Sequence, residues 1–239
     1  MLPPHRRRGP AARSRDAARD AAAMGPPGQV ATLIVPADFS WNPAGAVGLP
    51  ARLAARAKPT GTEVAEAVRG LREFGPAAGV LMGGNTLTDA GLKAAERIAR
   101  GSNARIFADR NAPRSALGRG RFQPQRVAYF PEKAEGQLAD LKHILLIEAK
   151  APVSFFAYPG RKSTLLPDDC RITALARPGD DGLATLAALA DHFNEPIPAR
   201  SSSRPLPASA GSEALTLEAM AQVLAAQLPD EAIVCSQGS

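Results

Sequence analysis

The chain has 239 residues, of which 45% are hydrophobic and 22% charged, so it is long and apolar enough for one large or two small globular domains and is not disordered throughout. Most of the net charge of +6 lies at the start, because residues 1–20 hold six arginines and two aspartates, a local net charge of +4. The rest carries only about +2 and does not interleave aromatic with basic side chains, so we predict no nucleic-acid partner.

The predicted elements begin after this basic segment. Residues 30–35 form a short, β-branched apolar run that predicts a buried strand. A stretch rich in glycine, proline and alanine follows up to residue 59 and is typical of a linker. Thr62 is then a candidate N-cap for a helix with apolar residues at helical spacing, and Gly75 with Pro76 ends that helix.

A unit of strand, turn, helix and strand comes next. The apolar run at residues 78–82 predicts the first strand, and residues 104–108 predict the second. Between them, Thr88 is positioned to begin a helix and Gly101 to end it. Because a connection of this length contains a crossover helix, the two strands are expected to run parallel.

The same alternation continues to the end of the chain. We predict helices over residues 131–141, 182–193 and 215–228, and strands over residues 143–148, 171–175 and 232–235. The strands are apolar without alternation, as strands buried on both faces are. The predicted fold class is therefore α/β: a doubly wound, mostly parallel, Rossmann-like sheet with helices on both faces.

Hydropathy and cysteine placement indicate the setting of the protein. The longest apolar run, around residues 144–147, has the length of a strand and not of a membrane span, so no membrane partner is expected. Cys170 and Cys235 lie far apart and the three histidines are scattered, which predicts neither a disulfide framework nor a metal cluster. No apolar signal-peptide core follows the basic start, and we expect a cytoplasmic location.

Gly83, Gly84 and Asn85 lie between a predicted strand and a predicted helix. Free backbone N–H groups and the helix dipole can hold a phosphate at such a position, so these three are the candidate cofactor-binding residues, for a nucleotide phosphate. The alternative interpretation is that the two glycines merely permit a tight turn, because the Gly-x-Gly-x-x-Gly fingerprint is missing.

The remaining motifs predict no catalytic and no metal-binding residue. Residues 160–164 are similar to the end of a P-loop but lack its upstream glycine. Asp180 and Asp181 fit a turn and a helix cap, and magnesium ligation would need more oxygen ligands than the sequence places nearby. Glu148, at the predicted carboxyl end of a strand, is a candidate for a binding role because ligand sites of α/β sheets gather there.

Several segments taken together carry a family resemblance. Residues 28–41 have the sequence Gly-Gln-Val-Ala-Thr-Leu-Ile-Val-Pro-Ala-Asp-Phe-Ser-Trp, and residues 79–85 have the sequence Gly-Val-Leu-Met-Gly-Gly-Asn. With residues 128–132, 143–151, 155–160 and 215–234, they resemble, in the same order, thiamine diphosphate-dependent enzymes of the acetolactate synthase and benzoylformate decarboxylase type.

This resemblance implies a division of the chain into five segments. Residues 1–24 would be a disordered basic tail, residues 25–59 the end of a pyrimidine-binding domain plus a linker, residues 60–195 the central α/β domain, residues 196–213 a second linker, and residues 214–239 the start of a diphosphate-binding domain.

The sequence also departs from the family pattern. The family binds thiamine diphosphate and magnesium, using an activating glutamate early in the pyrimidine-binding domain and a Gly-Asp-Gly motif followed by asparagine about 30 residues later. No counterpart of that glutamate precedes residue 28, residues 179–182 lie in the wrong domain for the motif, and Asn194 is too close to them.

The sequence therefore leaves two functions to be expected. The first is the central domain of an acetolactate synthase-like carboligase or decarboxylase acting on 2-oxo acids, in a truncated chain that lacks catalysis by itself. The alternative is a stand-alone α/β module that binds ADP or FAD, as central domains do in parts of the family, or that associates with other subunits. The chain would then form a homo-oligomer or join complementing chains.

Overall fold

The computed structural model describes residues 55–118, 120–197, 216–229 and 231–235, together with a few positions between 25 and 41. The predictions for residues 1–24, most of 25–59 and most of 196–213 lie outside the described residues. About half of the buried strand predicted at 30–35 is described, and the prediction is wrong there, because Val30 and Ile34 lie in no strand and are 95% and 85% exposed. The chain divides into two compact units, residues 1–117 with 121–198 and residues 118–120 with 199–239, and each is described by itself.

A parallel sheet of five strands forms the centre of the first unit. The strands are β1 (Ala78–Met82), β2 (Arg105–Ala108), β3 (Gln125–Arg126), β4 (His143–Ile147) and β5 (Arg171–Ala176). Their order is β3-β2-β1-β4-β5, and every pair is parallel. The doubly wound, parallel sheet predicted from the sequence is confirmed, with β3 as an additional strand.

Between residues 55 and 197, the described part of this unit contains four α-helices: α1 (Gly61–Phe74), α2 (Asp89–Ser102), α3 (Pro131–Leu138) and α4 (Gly182–Ala190). Thr88 caps α2 and Asp181 caps α4, as predicted. Gly101 does not end α2, because Asn103 adopts the left-handed conformation that closes the helix one residue beyond Ser102.

The cap of α1 corrects a second prediction. Thr62 lies inside the first turn of the helix, and the N-cap is Thr60. Thr60 has an extended backbone, its side chain accepts from the backbone N–H of Glu63, and the Glu63 side chain accepts from the Thr60 backbone in return. This capping box satisfies two backbone donors that the first turn leaves free.

Helices cover both faces of the sheet, as predicted. On one face α1, α2 and α4 bury Leu71, Ile98 and Leu189 against Val80 and Leu145. On the other face α3 packs Ala134 and Leu138, together with the loop after β4, on a core that contains Phe107 and Leu146. Because the central strands are covered on both sides, every residue of β1 and β4 is buried.

The second unit contains α5 (Leu217–Gln227), which begins after its N-cap Thr216 and confirms the helix predicted over residues 215–228. The prediction of a strand at residues 232–235 is wrong, because these residues pair with no strand among the described residues. Ile233 is 87% exposed, and an extended segment without a neighbour makes no ladder of hydrogen bonds. Within the described part of the chain, no helix is long and apolar enough to cross a membrane.

Candidate functional site

The candidate site lies at the carboxyl edge of the sheet, between β1 and β4. These two strands are neighbours, and the strand order reverses at this point because β2 and β3 lie on one side and β5 on the other. Open α/β sheets bind ligands at such a switch point. Gly83 follows β1 directly and Glu148 follows β4 directly, so the two candidate segments lie side by side.

The carboxylate of Glu148 occupies this point. Its Oε2 accepts from the backbone N–H of Asn85 at 3.0 Å, and its Oε1 accepts from the backbone N–H of Gly182, the first residue of α4, also at 3.0 Å. Arg56 adds a positive charge, with Nη1 3.7 Å from Oε1. The Glu148 side chain is only 2% exposed, so its charge is balanced by these donors and not by water.

The backbone around Glu148 is shaped for this contact. Glu148 has φ of +48°, in the left-handed region that residues other than glycine rarely adopt. Its backbone N–H donates to the carbonyl of Ala176 at 2.8 Å. A Cβ on Gly84 would lie 2.2 Å from Oε2, and a Cβ on Gly182 would lie 2.5 Å from Oε1. Glycine at both positions is therefore what lets the carboxylate approach the two N–H groups.

The predicted phosphate residues form a tight turn. Gly83 donates its N–H to the carbonyl of Ile147 at 2.9 Å, and Thr86 donates its N–H back to Gly83 at 3.1 Å. The N–H of Asn85 is bonded to the Glu148 carboxylate. The phosphate role of Gly83, Gly84 and Asn85 stays a prediction, and two of the donors it needs, the N–H groups of Gly83 and Asn85, are already bonded within the protein.

Beside this point lies a cleft of about 360 Å³ at the ends of β1, β2 and β3. Its lining includes Asp109, Arg110, Tyr129, Lys150 and Phe155. The Arg110 guanidinium stacks over the Tyr129 ring, with 4.2 Å between its central carbon and the ring centroid. The cleft thus combines an aromatic wall with the cationic side chains of Arg110 and Lys150, and both Asp109 and Glu148 are among the residues that line it.

The aromatic wall continues on the loop after β4. An antiparallel bridge between Val153 and Thr164 closes a hairpin that carries Phe155, Phe156 and Tyr158. The Phe155 and Phe156 ring centroids lie 4.8 Å apart in an edge-to-face arrangement, and Phe155 is 67% exposed. Residues 160–164, which are similar to a P-loop end, belong to this hairpin, and no helix follows them in residues 161–170.

The other candidates have structural roles. Asp181 accepts from the Ala184 N–H at 3.0 Å as the cap of α4, and Asp180 accepts from the Arg177 N–H at 2.7 Å, so the predicted turn and cap are confirmed. Burial raises the pKa of the Cys170 thiol, which disfavours a thiolate nucleophile. Among the described residues, no group of three His, Cys, Asp or Glu side chains could hold a metal ion.

Sequence reasoning placed Glu148 at a ligand-binding edge but missed its partners. Asn85 and Gly182 lie 63 and 34 residues away along the chain, so no local pattern joins them to Glu148. The available signal was the coincidence of Gly83-Gly84 after one strand, Glu148 after its neighbour, and Gly182 at the start of a helix.

Comparison with known proteins gives the following relatives. No protein-family model matches the sequence. Over 215 residues, 88% of the chain, it is 39% identical to a protein of Mycobacterium tuberculosis (strain ATCC 25618 / H37Rv) provisionally named acetolactate synthase large subunit IlvX. The chain spans 40% of the length of that relative.

Two solved structures are similar as well. A Mycobacterium smegmatis enzyme, provisionally assigned as thiamin diphosphate-dependent, matches with a TM-score of 0.59 and 18% identity over 88% of this chain and 44% of that chain. Benzoylformate decarboxylase from Polynucleobacter necessarius matches with a TM-score of 0.49 and 16% identity over 80% of this chain and 38% of that chain. The first match supports the α/β fold.

Proposed function

The chain is related to the thiamine diphosphate-dependent enzymes of the acetolactate synthase type, and from this premise we propose that residues 60–195 are the central domain of a carboligase or decarboxylase acting on 2-oxo acids. The observation that carries the proposal is the sequence relation over 88% of the chain. The described part of this domain is built on a five-stranded parallel sheet. In such an enzyme its part is to hold the neighbouring domains in place, while the bound cofactor stabilises the carbanion.

We further propose that the chain has no activity by itself. Magnesium bound to a diphosphate needs several convergent oxygen ligands. The described residues do not fit that need, because the Asp180 and Asp181 carboxylates already accept from backbone N–H groups and no acidic cluster is present among these residues. The activating glutamate and the Gly-Asp-Gly motif with its asparagine would be supplied by other segments.

Three measurements test these two proposals. In calorimetry, the chain should bind no thiamine diphosphate with magnesium present, and it should release no carbon dioxide from pyruvate. Micromolar, magnesium-dependent binding would contradict the proposal that the chain has no activity by itself.

Sequencing the DNA on both sides of the reading frame, with translation in all frames, should find the glutamate region upstream and the Gly-Asp-Gly motif with its asparagine downstream. Stop codons beside unrelated sequence would contradict a central-domain role in one polypeptide.

The cleft favours a second candidate function, the binding of ADP or FAD. Tyr129 and Phe155 offer faces for a planar ring, and Arg110 and Lys150 offer charge for a diphosphate. Titration of the chain with ADP and with FAD tests this function. Arg110→Ala should weaken binding at least tenfold, whereas Arg69→Ala, which removes an exposed charge on α1, should leave it unchanged. Equal affinities in the two variants, or no binding by the wild type, would reject it.

We propose that the chain works in the cytoplasm as a homo-oligomer or with complementing chains. Exposed apolar side chains support association: Ile34 is 85%, Trp41 84% and Ile233 87% exposed. Sedimentation velocity at several concentrations tests it, and a monomer at all of them would reject self-association. If the chain is a monomer, its purification from the organism that naturally produces it, followed by identification of the proteins that co-purify, would test for complementing chains.

A further inference from the structure

We propose that the turn between β1 and α2 and the start of α4 together form an anion site, and that the protein fills this site with the carboxylate of Glu148. An external phosphate would then be excluded from the point where sheets of this topology bind one. Glu148 would be a positioning residue that joins the two segments. This inference does not depend on the proposed enzyme function.

The donors have the arrangement that an anion requires. The Asn85 N–H comes from the turn before α2 and the Gly182 N–H from the first residue of α4, and each donates to a different oxygen of one carboxylate at 3.0 Å. The Gly182 N–H lies at a helix start, where backbone N–H groups carry partial positive charge, and Arg56 adds a full charge nearby. An oxyanion with two oxygens therefore satisfies donors from both segments at once.

The carboxylate also fills the available space. A Cβ on Gly84 would lie 2.2 Å from Oε2, and a Cβ on Gly182 would lie 2.5 Å from Oε1. The carboxylate therefore occupies the space that side chains at these two positions would need. The side chain is 2% exposed. A phosphate could enter only by displacing the Glu148 carboxylate. A free phosphate loses translational freedom when it binds, whereas the carboxylate, which is part of the same chain, does not, so the exchange is unfavourable for the phosphate.

The same geometry argues against a catalytic role for Glu148. A general base must reach the proton that it removes, whereas both oxygens of this carboxylate accept from backbone donors and the side chain, although Glu148 lines the cleft, is only 2% exposed. An anionic ligand of the neighbouring cleft would instead meet the side chains of Arg110 and Lys150.

Chemical rescue tests the proposal. Glu148→Gly removes the carboxylate and suits the left-handed backbone, whereas Glu148→Gln keeps the volume but replaces one oxygen by an NH₂ group facing an N–H donor. Both variants should melt below the wild type. Sodium formate should raise the melting temperature of Glu148→Gly by about 2–4 °C over sodium chloride at equal ionic strength. It should not raise that of Glu148→Gln, of the wild type or of the surface control Glu66→Gln.

A folded Glu148→Gly variant that formate does not stabilise would overturn the proposal. A measurement on the wild type decides the matter even if this variant fails to fold. In ¹⁵N-resolved spectra, the amide signals of Asn85 and Gly182 should not move when inorganic phosphate is added to tens of millimolar. A saturable shift of both signals would mean that the site is open to external anions, and the proposal would be wrong.

Discussion

The backbone of Gly70 lies directly against the imidazole of His143: a Cβ on Gly70 would be 2.5 Å from both Nδ1 and Cε1 of the ring. The ring is held from two other sides, since Nε2 lies 3.1 Å from the Thr173 hydroxyl and the Phe74 ring packs edge-on with its centroid 5.8 Å away. His143 thus joins α1 to β4 and β5, and a glycine in the middle of α1 makes that contact possible.

Replacing Gly70 by alanine should therefore destabilise the protein. Alanine favours a helix interior by about 1 kcal/mol over glycine. At Gly70 that gain is opposed by the new methyl group, which would force α1 or the His143 ring to move, and overpacking typically costs about 1–3 kcal/mol. We expect a net loss in the free energy of unfolding, measured by urea denaturation.

Gly136 in α3 provides the matched control, because a Cβ there would have no atom within 4 Å. Gly136→Ala should stabilise the protein by about 0.5–1 kcal/mol, since only helix propensity changes. If both variants gained stability by the same amount, the close packing of Gly70 on His143 would be refuted.

The stability of the protein should fall as the pH is lowered through the ordinary range of histidine. Burial, and secondly the charge of Arg171, lower the pKa of His143 in the folded state, although the Gly70 backbone and, less strongly, Glu73 act in the opposite direction. The unfolded chain then binds a proton at a higher pH than the folded chain does. The contribution of His143 to the free energy of unfolding should be constant above the unfolded pKa, near 6.5, and decrease below it until the folded pKa is reached.

Urea denaturation of His143→Gln and His192→Gln between pH 5 and 8 would measure this effect. His143→Gln should lower the stability at neutral pH but flatten its dependence on pH. His192 is exposed at the end of the helical layer, so His192→Gln should keep the slope of the wild type. An unchanged slope in His143→Gln would show that another group causes the loss.

The sequence was sufficient to predict the fold because the central strands are buried on both faces and their apolar runs are unmistakable, as at His143–Ile147. The strand β3 escaped prediction because Gln125–Arg126 is two exposed residues long and has no hydrophobic pattern. The interaction of Glu148 with Asn85 and Gly182 was not predictable either. It depends on the sheet bringing together three segments that are distant in the chain.

The N-cap of α1 was predicted at Thr62 instead of Thr60 for a different reason, and the difference between the two threonines can be tested. Thr60 and Thr62 have the same chemistry, but only Thr60 has a glutamate three residues later, the pattern of a capping box. Thr60→Ala should lower the free energy of unfolding by about 1 kcal/mol, because it removes the oxygen that accepts the Glu63 N–H at 3.3 Å. Thr62→Ala should have little effect or stabilise slightly, since alanine suits an exposed position in a helix. Thermal and urea denaturation of the two variants under identical conditions compare them directly. Equal losses would mean that neither threonine caps the helix as the structure has it.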